Sequence, residues 1–371
     1  MPKQVLFLTL RVFSATGGIE KVCKLLGLSL DELKMEKEVS KFKVFSMYDD
    51  LDDVNENYIP RKYYYGFGEK KFDFVRRSFS QGRKSDVVIL SHINLLLIGF
   101  LIKMVSPKTK LFLFAHGIEV WEPLGYWRKY MLKRCDKILP VSNFTKDKMK
   151  EIFEMKEEKF FVFNNCLDPF LSDTTKTKKN EDLLASLGFS DKDFILLTLT
   201  RLSSRELYKG YDSVLIAISA LKKNYPNIKY LIVGKYDVAE KERLDEIIKL
   251  HSLQGHVVFT GFIADEDLPM HYNLADLYIM PSKKEGFGIV FIEAMHYGLP
   301  VIAGNKDGSV DALLGGKLGQ LVDPDNQVQI NEAIEKLMLD TSNYQPNQIL
   351  MNEHFGFDAY KNRLKAVLQN I

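Results

Sequence analysis

Two glutamates with seven residues between them, Glu285 and Glu293, frame the segment Glu285-Gly286-Phe287-Gly288-Ile289-Val290-Phe291-Ile292-Glu293. A glycine-flanked loop that feeds a helix presents first-turn N–H groups at the positive end of the helix dipole, a ready site for phosphate. Both carboxylates are placed to accept hydrogen bonds from the hydroxyls of a sugar held at that end. The competing account is a tight turn with a solvated Glu293. Phe287 between two glycines, followed by the apolar run Ile-Val-Phe-Ile, disfavours it.

Leu199-Thr200-Arg201-Leu202 is followed a short loop later by Lys209-Gly210. A guanidinium fork at a strand end and an ammonium on the next loop can neutralise a diphosphate without a metal. Taken alone, two cations after a strand are more often a solvated surface; beside the Glu285 loop in the same half, the binding reading is favoured. His116 ends the apolar run Leu111–Ala115 and precedes Gly117, either as an edge histidine with its bonds satisfied or as a group facing a ligand. Gly17-Gly18 after the first apolar run lets backbone approach a ligand closely. Neither this pair nor Gly286-Phe287-Gly288 has the G-x-G-x-x-G spacing, which argues against a nicotinamide or flavin enzyme. The Asp-x-Asp pairs at 191/193, 265/267 and 323/325 read as a linker feature, a helix cap and a turn, so no metal site is expected.

These groups follow short apolar runs that alternate with segments of helical period. In the first half the runs are Val5–Thr9, Phe42–Met47, Val87–Ser91, Leu111–Ala115, Ile138–Val141 and Phe160–Phe163. In the second half they are Phe194–Thr200, Tyr230–Gly234, Val257–Thr260, Leu277–Met280, Val301–Ala303 and Leu321–Val322. Nearly continuous apolar strands separated by helices indicate parallel sheets covered on both faces. The polar stretch from Ser172 to Glu181 is the best linker. The expectation is an α/β chain of two tandem Rossmann-like, doubly wound domains facing each other across a cleft: 1–170, and 171–354, with a last helix over about 355–371 crossing back to the first. Ligands in such sheets sit beyond the carboxyl ends of the strands.

With 371 residues, 46% hydrophobic and 27% charged, the chain can bury a large core. Its net charge of +2 argues against nucleic-acid binding as the main activity. Residues 1–170 nevertheless carry 29 Lys and Arg against 22 Asp and Glu, and residues 171–371 carry 22 against 27. Three scattered cysteines suggest a reducing compartment. The N-terminus shows no signal-peptide pattern, and the apolar stretch Leu95–Ile102 is too short to span a bilayer, so a cytoplasmic location is expected.

The order G-G-x-E, then H-G-x-E, then R-L…K-G, then E-G-F-G-x-x-x-x-E resembles the retaining glycosyltransferases of family 4, which have the GT-B fold. Val141-Ser142, Asn164-Asn165, Val233-Gly234, Thr260-Gly261-Phe262, Ala275-Asp276 and Gly298-Leu299-Pro300 match the same pattern, so the resemblance covers essentially the whole chain. It implies a metal-independent hexosyltransferase whose second domain binds a nucleotide-diphosphate sugar and whose first binds a glycan or lipid-linked acceptor. Arg201 and Lys209 would stabilise the leaving diphosphate, helped by Gly18 and the amides near Gly288, Ile289 and Val290. Glu293 would hold the ribose and Glu285, with the backbone of Gly286 and Phe287, the donated sugar. The base would rest against Gly261-Phe262-Ile263, and His116 would lie near the transfer centre. No cofactor beyond the donor is implied. The chain departs from the family at Lys235-Tyr236, at Lys283-Lys284 and at Asp311.

Basic and aromatic residues interleave at Arg61-Lys62-Tyr63-Tyr64-Tyr65, Lys70-Lys71, Arg76-Arg77, Arg83-Lys84, Trp121, Tyr126–Tyr130 and Lys133-Arg134. Such a surface suits an anionic membrane and a lipid-linked acceptor of cell-surface polysaccharide or glycoconjugate synthesis. The rival functions are a nucleotide-sugar epimerase or phosphorylase on the same fold, and a silent nucleotide-sugar-binding subunit.

Overall fold

The computed structural model describes residues 2–172 and 178–370, so residues 173–177 of the expected linker lie outside the described residues. The chain divides into two compact units, Met1–Pro169 with His354–Ile371, and Phe170–Glu353.

The first unit is built on β1 (Lys3–Thr9), β2 (Val39–Ser46), β3 (Tyr64–Gly66), β4 (Val87–Leu90), β5 (Lys110–Ala115) and β6 (Lys137–Pro140). All pair in parallel, in the order β3-β2-β1-β4-β5-β6. The second unit repeats the plan with β7 (Phe194–Leu199), β8 (Ile228–Val233), β9 (Val257–Gly261), β10 (Leu277–Met280), β11 (Val301–Gly304) and β12 (Gln320–Val322). Its order is β12-β11-β10-β7-β8-β9, again all parallel. The two units are therefore Rossmann-like and doubly wound, each with a topological switch point, at β1/β4 and at β7/β10. Every residue of β4, β10 and β11 is buried, as strands covered by helices on both faces require.

The helix Phe357–Gln369 packs on the helix Gly18–Met35 within the first unit. Tyr360, Leu364, Val367 and Leu368 form its buried stripe. Lys361 binds Glu32 and Glu36, each at 2.8 Å, and Lys365 binds Glu38 at 2.8 Å.

Some sequence expectations need correction. Phe160–Phe163 is not a strand: beside β6 it makes an isolated bridge, Phe160 to Ile138, with the Phe161 and Phe163 N–H groups donating to the Ile138 and Pro140 carbonyls at 3.0 and 2.7 Å. The sixth strand of that sheet is Tyr64–Gly66, from the run read as a basic and aromatic surface. Tyr64 is instead buried, with its hydroxyl donating to Asp49 at 2.6 Å, and Tyr65 packs edge-on against Phe45. Three residues are too few for a period-2 pattern to emerge. Asp267 precedes the helix Leu268–Leu274 but makes no side-chain cap bond.

Candidate functional site

In the second unit the candidate groups leave the carboxyl ends of β7, β8, β9, β10 and β11, around the switch point. The loop after β10 carries Glu285, and the following helix runs Ile289–His296. Gly288 opens that helix with φ +85°, a left-handed conformation that a side chain would strain. Phe287 is buried and anchors the turn. Ile289 and Val290 supply first-turn amides, the groups a helix cannot bond internally.

The loop after β7 ends in the short turn Leu207–Lys209. Lys209 Nζ forms an ion pair with Glu285 Oε1, both side chains largely shielded from solvent. Burial opposes the Lys209 ammonium, but the Glu285 carboxylate beside it, with Tyr208 and Glu206, outweighs burial and leaves the group raised above its ordinary value. The Lys283 N–H donates to the Tyr208 carbonyl at 2.9 Å, stitching the two loops along their backbones. Tyr208 lies among Lys209, Glu206, Glu285 and Arg201; burial first, then the two carboxylates, raise its hydroxyl against the pull of the two cations. Arg201 itself is exposed and pairs with Glu206 rather than with Glu285.

Glu293 is buried, at 3% exposure, which removes the solvated-turn account. Its Oε2 accepts from the Tyr272 hydroxyl at 3.2 Å, and Tyr272 stacks on Tyr297 with ring centres 5.0 Å apart. Phe262, just past β9, is half exposed, with the Lys235 ammonium 4.7 Å over its ring. The departure at Lys235 thus adds a cation to the aromatic surface on which a base was expected to rest.

The loop after β11 holds a residue that sequence reasoning missed. Asp307 is 1% exposed and accepts from Ser282 Oγ at 2.6 Å, from the Glu285 N–H at 2.7 Å and from the Ser309 N–H at 2.9 Å. Burial raises its carboxyl to about 6 despite these bonds. The only available signal was an acidic residue directly before a glycine in a post-strand loop. Tyr208 and Tyr272 gave no signal, because aromatic residues on helical spacing look like core.

In the first unit Gly18 begins the helix after β1. His116 follows β5, and its Nε2–H donates to the Ser91 carbonyl at 2.7 Å. The His116 N–H donates to Glu119 Oε1 at 2.5 Å. His92, also unforeseen, is lowered first by burial and also by His116 and Arg128, against the opposing pull of Glu119. Of the expected residues, the fold therefore groups Lys209, Glu285 to Val290 and Glu293 in the second unit, and sets Gly18 and His116 beyond the ends of β1 and β5 in the first.

Residues 179–350 match the family described as glycosyl transferases group 1. A GDP-mannose-dependent alpha-(1-6)-phosphatidylinositol monomannoside mannosyltransferase of Mycolicibacterium smegmatis is 30% identical over 241 residues, 61% of this chain and 60% of that one. The chain thus spans under two thirds of that relative, and 38% of its Mycobacterium tuberculosis counterpart. The alpha-1,3/1,6-mannosyltransferase ALG2 of Dictyostelium discoideum is 24% identical over 79% of this chain and 77% of its own. Among solved structures, Anabaena HepE in complex with UDP and glucose superposes with a TM-score of 0.79 over 100% of both chains at 19% identity.

Proposed function

Because the chain belongs, through residues 179–350, to the glycosyl transferases group 1, we propose that it is a retaining, metal-independent GT-B glycosyltransferase. It moves a hexose from a nucleotide-diphosphate sugar to a glycan or lipid-linked acceptor. The observation that carries this is the Lys209–Glu285 pair beside the Ile289–His296 helix start. A diphosphate needs fixed positive charge, a sugar needs a carboxylate acceptor, and both lie beyond the carboxyl ends of the two central strands, β7 and β10.

As the glycosidic bond breaks, positive charge builds on the sugar ring and negative charge on the departing phosphate. Lys209, Arg201 and the amides at Gly288, Ile289 and Val290 act on that phosphate. A donor fixed in place before reaction is worth about 3 kcal/mol each. Glu285 turns from Lys209 to the sugar hydroxyls when the donor enters. Glu293, held by Tyr272, accepts from the ribose, and Phe262 with Lys235 supports the base. Two resident cations make a divalent ion unnecessary. His116, in the first unit, is the further side chain assigned to the transfer step.

The lipid-linked choice of acceptor is supported by the first unit. Helices Lys71–Gly82, Leu96–Val105 and Tyr126–Lys133 pack side by side. They expose Phe72, Leu97, Leu101, Met104, Tyr126 and Trp127, interleaved with Arg76, Arg77, Arg128 and Lys133. Among the described residues no helix is long and apolar enough to cross a membrane. An apolar stripe with a basic rim fits the headgroup zone of an anionic bilayer.

The test is transfer itself. The chain is incubated with UDP-glucose or GDP-mannose, EDTA and a lipid extract, and the product linkage is assigned by NMR. An α-linked product from the α-linked donor is expected; a β-linkage would overturn retention, and interconversion of the donor without acceptor would favour an epimerase.

A further inference from the structure

Two loops meet behind Glu285, those after β10 and β11, and one buried side chain joins them. Asp307, after β11, accepts from Ser282 Oγ and from the Glu285 N–H through the same oxygen, and from the Ser309 N–H through the other. The Gly308 N–H returns a bond to the Glu285 carbonyl at 2.8 Å, and a Cβ on Gly308 would lie 2.0 Å from the Gly286 carbonyl oxygen. The backbone of Glu285 and Gly286 is thus clamped against the Asp307-Gly308 turn.

We propose that Asp307 is a positioning residue whose ionised carboxylate holds the Glu285 loop in its ligand-binding form, so that donor binding weakens when that carboxyl is protonated. The effect on donor binding rests on the function proposed above; the clamp itself does not.

The chemistry follows from the count of donors. An ionised carboxylate only accepts, and here the Ser282 hydroxyl and the Glu285 and Ser309 N–H groups point at its two oxygens, with the Ser309 hydroxyl alongside. Protonation turns one oxygen into a donor: at Oδ1 it competes with the Ser309 N–H, and at Oδ2 it competes with the Glu285 N–H or turns the Ser282 hydroxyl from donor to acceptor. In a buried place an N–H displaced in this way is not satisfied by water. Burial places the titration near pH 6, within reach of ordinary conditions.

The other charges around this turn are already engaged. Glu285 pairs with Lys209. Lys283 pairs with Asp325, and Lys306 with Asp323 and Asp325. The Lys284 ammonium lies over the Tyr208 ring, and Asp311 follows one turn later on the helix Ser309–Ala312. The bonds to Asp307 come from uncharged donors.

Asp307→Asn keeps the shape but carries one accepting oxygen and an amide that donates, so it imitates the protonated state at every pH. Ser282→Ala removes one donor to the carboxylate and moves its titration upward. Hydrogen exchange at the Glu285 amide, corrected for intrinsic rate, reads the clamp without ligand. At pH 7.5 Asp307→Asn is expected to lower protection of that amide by about tenfold while the rest of the second unit keeps its protection. Equilibrium binding of UDP-glucose and GDP-mannose between pH 5 and 8 reads the consequence. Wild-type affinity is expected to fall by up to tenfold per pH unit below about 6, Asp307→Asn to bind weakly with no such limb, and Ser282→Ala to shift the limb to higher pH. Unchanged protection at Glu285 in Asp307→Asn, or the wild-type limb in that variant, would overturn the proposal. If the wild type binds neither nucleotide sugar at any pH, the glycosyltransferase function fails, and the exchange measurement still decides the clamp.

Discussion

The Lys209 ammonium and the Glu285 carboxylate, 76 residues apart in sequence, pair across the loops that follow β7 and β10. Each shields the other in a place where an isolated charge would be costly. The pair holds together the two charges that the proposed sugar nucleotide would engage separately.

Removing one partner exposes that arrangement. Lys209→Ala leaves the Glu285 carboxylate without its cation and is expected to cost about 2 kcal/mol of stability, between the values for exposed and buried pairs. Its kcat should fall about 100- to 1000-fold, as for loss of one fixed transition-state donor. Glu285→Gln should share the stability loss, and a double-mutant cycle read by urea midpoint should show coupling between the two. Strictly additive losses would contradict the pairing. Because Lys209 is raised above its ordinary value, its share of stability is fully present below that value and is lost only as pH climbs through the raised one. The ammonium therefore stays charged across neutral pH.

Tyr272 orients Glu293 through a hydroxyl hydrogen bond. Tyr272→Phe is expected to cost about 1 kcal/mol of stability. It should raise the donor KM several-fold with kcat nearly unchanged, because the proposed ribose contact would be made equally in ground and transition states. A fall in kcat with KM unchanged would move Glu293 from binding to the chemical step. Steady-state kinetics with varied donor decides between them.

Much of this was legible in the chain because its strands are apolar throughout. Runs such as Val87–Leu90 and Leu277–Met280 reach burial on both faces, and that pattern survives without knowledge of the tertiary fold. The edge strand Tyr64–Gly66 was hidden because three residues carry no periodicity and its tyrosines looked like surface. Glu285, Lys209 and the glycines announced themselves by spacing. Asp307 and Tyr272 did not, since a positioning residue is defined by what it touches across the sheet edge, and single-sequence spacing holds no such information.

The titration of Asp307 has a consequence for global stability. Its carboxyl is raised from 3.8 to about 6 by burial, so the folded chain holds that proton more tightly than the unfolded one. The stabilisation is complete below pH 3.8 and is lost as pH rises through 6, about 3 kcal/mol as an upper figure. Asp307→Asn should flatten this dependence, so that the variant gains on the wild type in urea midpoint between pH 5 and 8. Parallel profiles for the two chains would show that Asp307 does not titrate in this range.

The exposed stripe on the first unit makes a separate prediction. In vesicle flotation the chain should bind bilayers containing about a third anionic lipid, and the binding should weaken as salt rises. Trp127→Glu with Leu101→Glu should reduce that binding at least about tenfold, because two apolar side chains that are now exposed would no longer enter the headgroup zone. Transfer to a soluble acceptor should be unaffected. Equal binding by wild type and variant would place the contact elsewhere.

The central claim is that the second unit is a nucleotide-sugar donor site, and thermal denaturation with UDP-, GDP-, ADP- and dTDP-sugars, each with and without EDTA, tests it most directly. A ligand that binds only the folded chain stabilises it by about 2.7 kcal/mol at 100 times its dissociation constant. The expected result is stabilisation by one base class, unchanged by EDTA and abolished in Glu293→Ala. No shift with any nucleotide sugar, or a shift that survives Glu293→Ala, would contradict it.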